Sequence, residues 1–188
     1  MSPITPTVTN ILDIMTMATH GALVTVLVMI ALKKTRHRTI SFLAQYALPI
    51  GLLFATVAMT GSLFYSDIAG FTPCVLCWYQ RIVMYPQVFL FALALWRNDK
   101  MIFPYTLMLS SIGAVIAGYH YYIQNVPVLI TPCKLVGYSV SCTDKFVLNY
   151  GYITIPLMAL TAFVAIIITM LALRHSLRTT KPHHSPQA

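Results

Sequence analysis

The sequence predicts an all-α integral membrane protein with several spanning helices, and three observations carry that prediction. Of 188 residues, 58% are hydrophobic and only 9% charged, against about 25% charged in a usual soluble domain. Apolar runs of about 20 residues recur along the whole length, each enough for a ~30 Å hydrocarbon core at ~1.5 Å per residue. The basic residues sit at the ends of those runs and not along an amphipathic face. This last point rules against the nucleic-acid reading that a formal net charge of +8 invites, because such spacing is that of topology determinants. There is no internal repeat and no soluble second domain.

Five spans are expected in order. The first runs from about Ile11 to Leu32, with Asp13 and His20 interrupting its start; the second from about Ser41 to Tyr65. The third begins near Cys77 and ends at Trp96, the fourth covers about Met101 to Ile123, and the fifth about Tyr152 to Leu173. Lys33, Lys34, Arg36 and Arg38 follow the first span, Arg97 and Lys100 separate the third from the fourth, and Arg174, Arg178 and Lys181 follow the fifth. These are nine of the twelve basic residues; Arg81, Lys134 and Lys145 lie on the other side. Lys and Arg near span ends favour the cytoplasm, so the N-terminus is expected outside and the C-terminus inside. A secretory signal would carry its positive charge before the apolar run. Met1 to Thr9 has none, so the first segment reads as a retained span, with a partly interfacial segment as the alternative.

Two further segments complete the chain. Gln124 to Tyr150 is the longest hydrophilic stretch, yet it holds Val126, Leu129, Phe146 and Leu148, so it is expected to lie against the bilayer surface or the helix ends. Residues 174–188 read as a disordered cytoplasmic tail. His183 and His184 read there as solvated side chains, and no metal site is expected.

The chemistry is expected in FTPCVLCWYQR, residues 71–81. A C-x-x-C in the first turn of a helix meets unsatisfied N–H groups and about half a positive charge, which favour the reactive thiolate. Pro73 suits a helix start. Residues three apart share a face, so Cys74 and Cys77 are able to bond to each other, and Arg81 lies one turn deeper on that face. An arginine at the centre of a spanning helix is disfavoured by ~2.5–3.5 kcal/mol and marks a functional site by default. Its bland reading is an interfacial anchor among Trp78, Tyr79 and Tyr85. Zinc is disfavoured, because C-x-x-C with C-x8-C is not a usual zinc spacing. Cys133 and Cys142 fall on the same, disulfide-permissive side, where a static disulfide competes with a catalytic pair. A dithiol entering lipid beside aromatics and a cation favours a lipid-soluble electron acceptor, and a quinone fits. His120, in GYHYYIQ at the depth of the C-x-x-C turn, reads either as hydrogen-bonded core or as a quinone or proton ligand.

PCVLCWYQR, the later AGYHYYIQ and the loop cysteine pair before a last span resemble the DsbB family of thiol oxidases, and the WYQR form and short C-x8-C loop its BdbC branch. The resemblance covers about Gln45 to Leu173 and implies a four-helix transmembrane bundle. Residues 1–40 then form an extra N-terminal transmembrane helix with a basic cytoplasmic loop, residues 41–173 the thiol oxidase core, and 124–150 its external loop. The resemblance further implies a multi-pass protein of the bacterial plasma membrane that reoxidises a thioredoxin-like, DsbA-like partner and passes electrons to the membrane pool of ubiquinone or menaquinone, as in compartments kept oxidising by that relay. By position, Cys133 looks like the residue forming the mixed disulfide with the partner. Cys142 looks like its pair, exchanging with Cys74, and Cys77 like the quinone-proximal thiolate, with Arg81 and His120 at the quinone. Two departures stand out: the extra first span, and the short Cys133–Cys142 loop where a partner would dock. Competing readings are a vitamin K epoxide reductase-like protein, in which the C-x-x-C follows the loop cysteines, and a non-enzymatic membrane subunit with a structural disulfide.

Overall fold

A computed structural model describes residues 4–126 and 141–180. The described residues form six α-helices: α1 (Thr5–Ala31), α2 (Lys33–Gln45), α3 (Ala47–Leu63), α4 (Val75–Arg97), α5 (Phe103–Asn125) and α6 (Ile155–Thr180). Among the described residues there is no strand, only an isolated bridge between Asn149 and Ile153. Helices α3, α4, α5 and α6 pack as a closed ring of neighbours, and α1 and α2 lie outside it, against each other and against α6. This is the all-helical bundle plus an N-terminal helix that the sequence predicts.

By length and composition, α1, α3 with its final turn, α5 and α6 can each cross a membrane. Helix α4 is as long, at 23 residues, but carries Gln80, Arg81 and Gln87. It is held between α3 and α5, and its outward residues Ile82, Phe89, Leu93 and Trp96 are exposed and apolar, as a lipid-facing surface requires.

Close approach is set by two glycines. A Cβ on Gly51 would stand 2.6 Å from the Phe91 ring, and one on Gly113 only 2.2 Å from Phe163. Each phenylalanine is fully buried, seated in a notch on the neighbouring backbone: α4 on α3, and α6 on α5. Small residues play this part where lipid supplies no hydrophobic drive for association. On the α4–α5 seam, Ser110 donates to Gln87 Oε1 at 2.9 Å.

The structure departs from the sequence reading at three boundaries. The stretch after the first span is helix α2 and not a basic loop, and the second span begins at Ala47 instead of Ser41. Pro49 accounts for the break between them, since it has no N–H to give the Gln45 carbonyl and crowds it. The first helix starts at Thr5, with a proline in its first turn. The last helix continues to Thr180, so residues 174–180 are helical and not a disordered tail; Arg174 and Arg178 there suit the negative end of a helix dipole. His183 and His184 lie outside the described residues.

Candidate functional site

Pro73 leads into α4, and Cys74 is its N-cap, with extended backbone (φ −76°, ψ 173°). The Trp78 N–H closes the first turn on the Cys74 carbonyl at 3.1 Å, which brings Cys77 round to the same face. Both thiols are free, with sulfurs 3.3 Å apart. Cys74 is 3% exposed and Cys77 more open.

His120, 2% exposed on α5, stands between Cys74 and Cys142. Gln80 Nε2 donates to its Nδ1 at 3.0 Å, which leaves the ring proton on Nε2. That nitrogen's single proton is shared between the Cys142 carbonyl at 3.1 Å and Cys74 Sγ at 3.7 Å. Cys142 is itself buried and disulfide-bonded; Cys133 lies outside the described residues. The Cys74 thiol, just before α4 begins, is lowered to about 4. Its hydrogen bond from Cys77 is the main cause and His120 adds to it, against the opposing effect of burial. The ligand-type atoms of Cys74, Cys77 and His120 lie within 4.8 Å of one another, three donors of the kind soft cations take.

Arg81 does not point its whole guanidinium at the thiols. Its Nε donates to Ser62 Oγ and its Nη2 to the Ser62 carbonyl, both at 2.9 Å, and its Cζ lies 5.2 Å from the Trp78 ring centre. This fork pins the charge between α3 and α4. Ser62 has no sequence signal as its partner.

Beneath the thiols is a cavity of about 380 Å³. Cys74, Cys77, Arg81 and His120 all line it, so four of the six residues singled out from sequence converge there. Its walls come from α1, α3, α4, α5 and α6, with the Phe163 ring at the end farthest from the cysteines along α6. Tyr65, Phe71 and Phe146 also line it and stack, at 5.8 and 5.1 Å between ring centres. Tyr65 sits on a π-helical turn, Phe64–Ile68, that ends the second span. Such turns often occur at functional sites, but nothing in FYSDI announces one. Three buried polar atoms of the lining have no hydrogen-bond partner among the described residues: Tyr65 Oη, Tyr85 Oη and Gln124 Oε1.

Residues 44–173, the bundle and both cysteine pairs, match the family model described as disulfide bond formation protein DsbB. The chain belongs to the DsbB family. Among its relatives, the disulfide bond formation protein C of Bacillus subtilis is 44% identical over 122 residues, which are 64% of this chain and 86% of that protein. A probable disulfide formation protein C of Halalkalibacterium halodurans is 43% identical over 119 residues, 63% of this chain and 86% of that one. These relatives bear out the resemblance to the BdbC branch. No solved structure matches the chain. As a DsbB-family member with several spanning helices, the chain is a multi-pass membrane protein of disulfide-bond formation. Its α1 lies wholly before the residues that the family model matches.

Proposed function

We propose that this DsbB-family chain is a thiol:quinone oxidoreductase of the bacterial plasma membrane. It reoxidises a thioredoxin-like, DsbA-like thiol oxidase outside the cytoplasm and passes the electrons through Cys133/Cys142 and Cys74/Cys77 to ubiquinone or menaquinone. One observation carries the reading: the free Cys74–Cys77 pair lies between a disulfide-bonded loop cysteine and an apolar cavity within the bundle. The cysteine end is outside and the C-terminus inside, in keeping with the nine basic residues assigned to the opposite side.

The residues present fit a quinone. The cavity volume lies within the usual range for small-molecule sites, roughly 300–1,000 Å³. The unpartnered hydroxyls of Tyr65 and Tyr85 suit carbonyl oxygens, and Arg81 supplies fixed positive charge. Arg81, Cys77, Tyr65 and Tyr85 would hold the ring, with His120 at the thiol side. When bound, a quinone supplies a two-electron sink that dissolves in lipid.

The chain's own residues do the rest. Cys133 forms the mixed disulfide with the partner, and the outer disulfide passes to the partner, leaving Cys133 and Cys142 reduced. Cys142 attacks Cys74, and Cys77 leaves and takes up the proton that Cys142 gives up. Attack of Cys133 on Cys142 restores the outer disulfide and releases Cys74. His120 Nε2–H and the Cys77 thiol stabilise the Cys74 thiolate. Stabilising the reduced form makes the inner disulfide a strong oxidant. The electron pair leaves when the Cys74–Cys77 bond forms again beside the cavity.

Anaerobic turnover of the purified protein tests this, with reduced thioredoxin-like substrate and added ubiquinone or menaquinone. One quinol should form per substrate disulfide. Oxidation of the substrate with no quinol formed refutes the proposal.

A further inference from the structure

Helix α1 is mostly exposed and apolar, with Ile11, Ile14, Val24, Leu27 and Val28 facing outward. Its buried residues are all polar: Thr5, Thr9, Asp13 and Thr16. Their spacing puts them on one helix face. His20 continues that face and meets Thr161 of α6 at 2.8 Å. A helix added only to pack would bury small or apolar residues here. The polar face starts at the cysteine end, where Asp13 meets Asn149, and reaches the cavity at Thr16 and Thr19.

Asp13 is the centre of this face. Of the chain's four acidic residues it alone is buried, and it is fully so. Its Oδ2 accepts from Asn149 Nδ2, and its Oδ1 has no hydrogen-bond partner among the described residues. Tyr65, within electrostatic reach of Asp13 and beside Thr9, lines the cavity with a hydroxyl that also lacks a partner. An ionisable side chain inside a spanning helix marks a proton or ion path by default.

We propose that Asp13 and Tyr65 form a proton inlet, carrying protons from water at the cysteine end along the polar face of α1 to the quinone cavity. The inference rests on the quinone reading above. Reducing a quinone to a quinol consumes two electrons and two protons. Forming the Cys74–Cys77 disulfide releases the two electrons. The Cys77 thiol brings one proton, whereas Cys74, held as a thiolate, has none to give. The second proton comes from Asp13 Oδ1 and crosses to the Tyr65 hydroxyl through a bridging water, since the two atoms are not hydrogen-bonded to each other, and water on the Asn149 side replaces it.

Two measurements on the full-length purified protein test the inlet. The infrared spectrum without added quinone should show the C=O stretch of a buried carboxylic acid that shifts on exchange into D2O, and this band should vanish in Asp13→Asn. Absence of the band, or failure to shift, overturns the proposal. In single turnover from the pre-reduced inner pair, Asp13→Asn should slow quinol formation about 100-fold, with Asp13→Glu restoring it and mixed-disulfide formation with the partner unchanged. Tyr65→Phe removes only an unpartnered hydroxyl, so it keeps the fold and should show the same selective loss. Wild-type quinol formation in both variants overturns the inlet, as does an equal loss of partner exchange. If the wild-type protein itself forms no quinol, the quinone reading falls and the inlet with it.

Discussion

Replacing His120 with phenylalanine isolates one contribution to the Cys74 thiolate. The ring stays aromatic and similar in size, but the Nε2–H that faces Cys74 Sγ at 3.7 Å is gone. Hydrogen bonds to charged groups contribute roughly 1.5–3 kcal/mol, and about 1.36 kcal/mol corresponds to one pKa unit. Removing a donor to the anion favours the neutral thiol, so the Cys74 midpoint should rise from about 4 to about 5–6. The thiolate stabilises the folded, reduced protein fully above the ordinary thiol pKa, and that stabilisation is lost as pH falls through the folded value. The variant therefore loses it at higher pH than the wild type. The assay is the pH dependence of iodoacetamide alkylation of Cys74, read by mass spectrometry of its peptide in the reduced protein. Cys77→Ala should raise the midpoint further, because the Cys77 thiol is the larger cause. An unchanged midpoint in His120→Phe, or one larger than in Cys77→Ala, refutes the reasoning.

Three other outcomes are expected. Cys77→Ser should abolish quinone reduction by a reduced partner while a mixed disulfide at Cys133 still forms; normal turnover would remove Cys77 from the path. Gly113→Ala forces a methyl toward Phe163 at 2.2 Å and should destabilise the bundle by about 1–3 kcal/mol, seen as a lower thermal midpoint in detergent that Phe163→Leu partly restores. After reduction, a membrane-impermeant thiol reagent should label Cys133 and Cys142 from outside; labelling only from the cytoplasm would reverse the topology.

Much of this arrangement is legible in the sequence because it rests on local rules. Composition and run length give the spans, and Pro73 with C-x-x-C gives the start of α4, where Cys74 is indeed the N-cap and Cys77 one turn on. The shared depth of His120 and the thiols follows from span ends, and the two meet at 3.7 Å. What escaped depends on neighbours distant in sequence. Residues 33–40 look like a charged loop, yet they belong to a helix, Lys33–Gln45, packed on α6. The spacing puts Arg81 on the face of the thiols, yet two of its donors go to Ser62, nineteen residues earlier. Asp13 and His20 looked like flaws in the first span; they are its contacts with Asn149 and Thr161. No local pattern could supply those partners.

The seat of Phe163 in the Gly113 notch has a consequence for membrane voltage. The ring lines the end of the cavity farthest from the cysteines along α6, and there it packs directly on the Gly113 backbone of α5. On the proposed path, thiols, electron acceptor and proton inlet all lie on the cysteine side of this seat. Electrons and protons then enter from the same face, and no net charge traverses the full thickness of the bilayer. Moving one charge across costs about 2.3 kcal/mol per 100 mV, and this geometry avoids that work. Disulfide formation would run as an electroneutral reaction, its rate set by substrate supply and not by the energised state of the membrane.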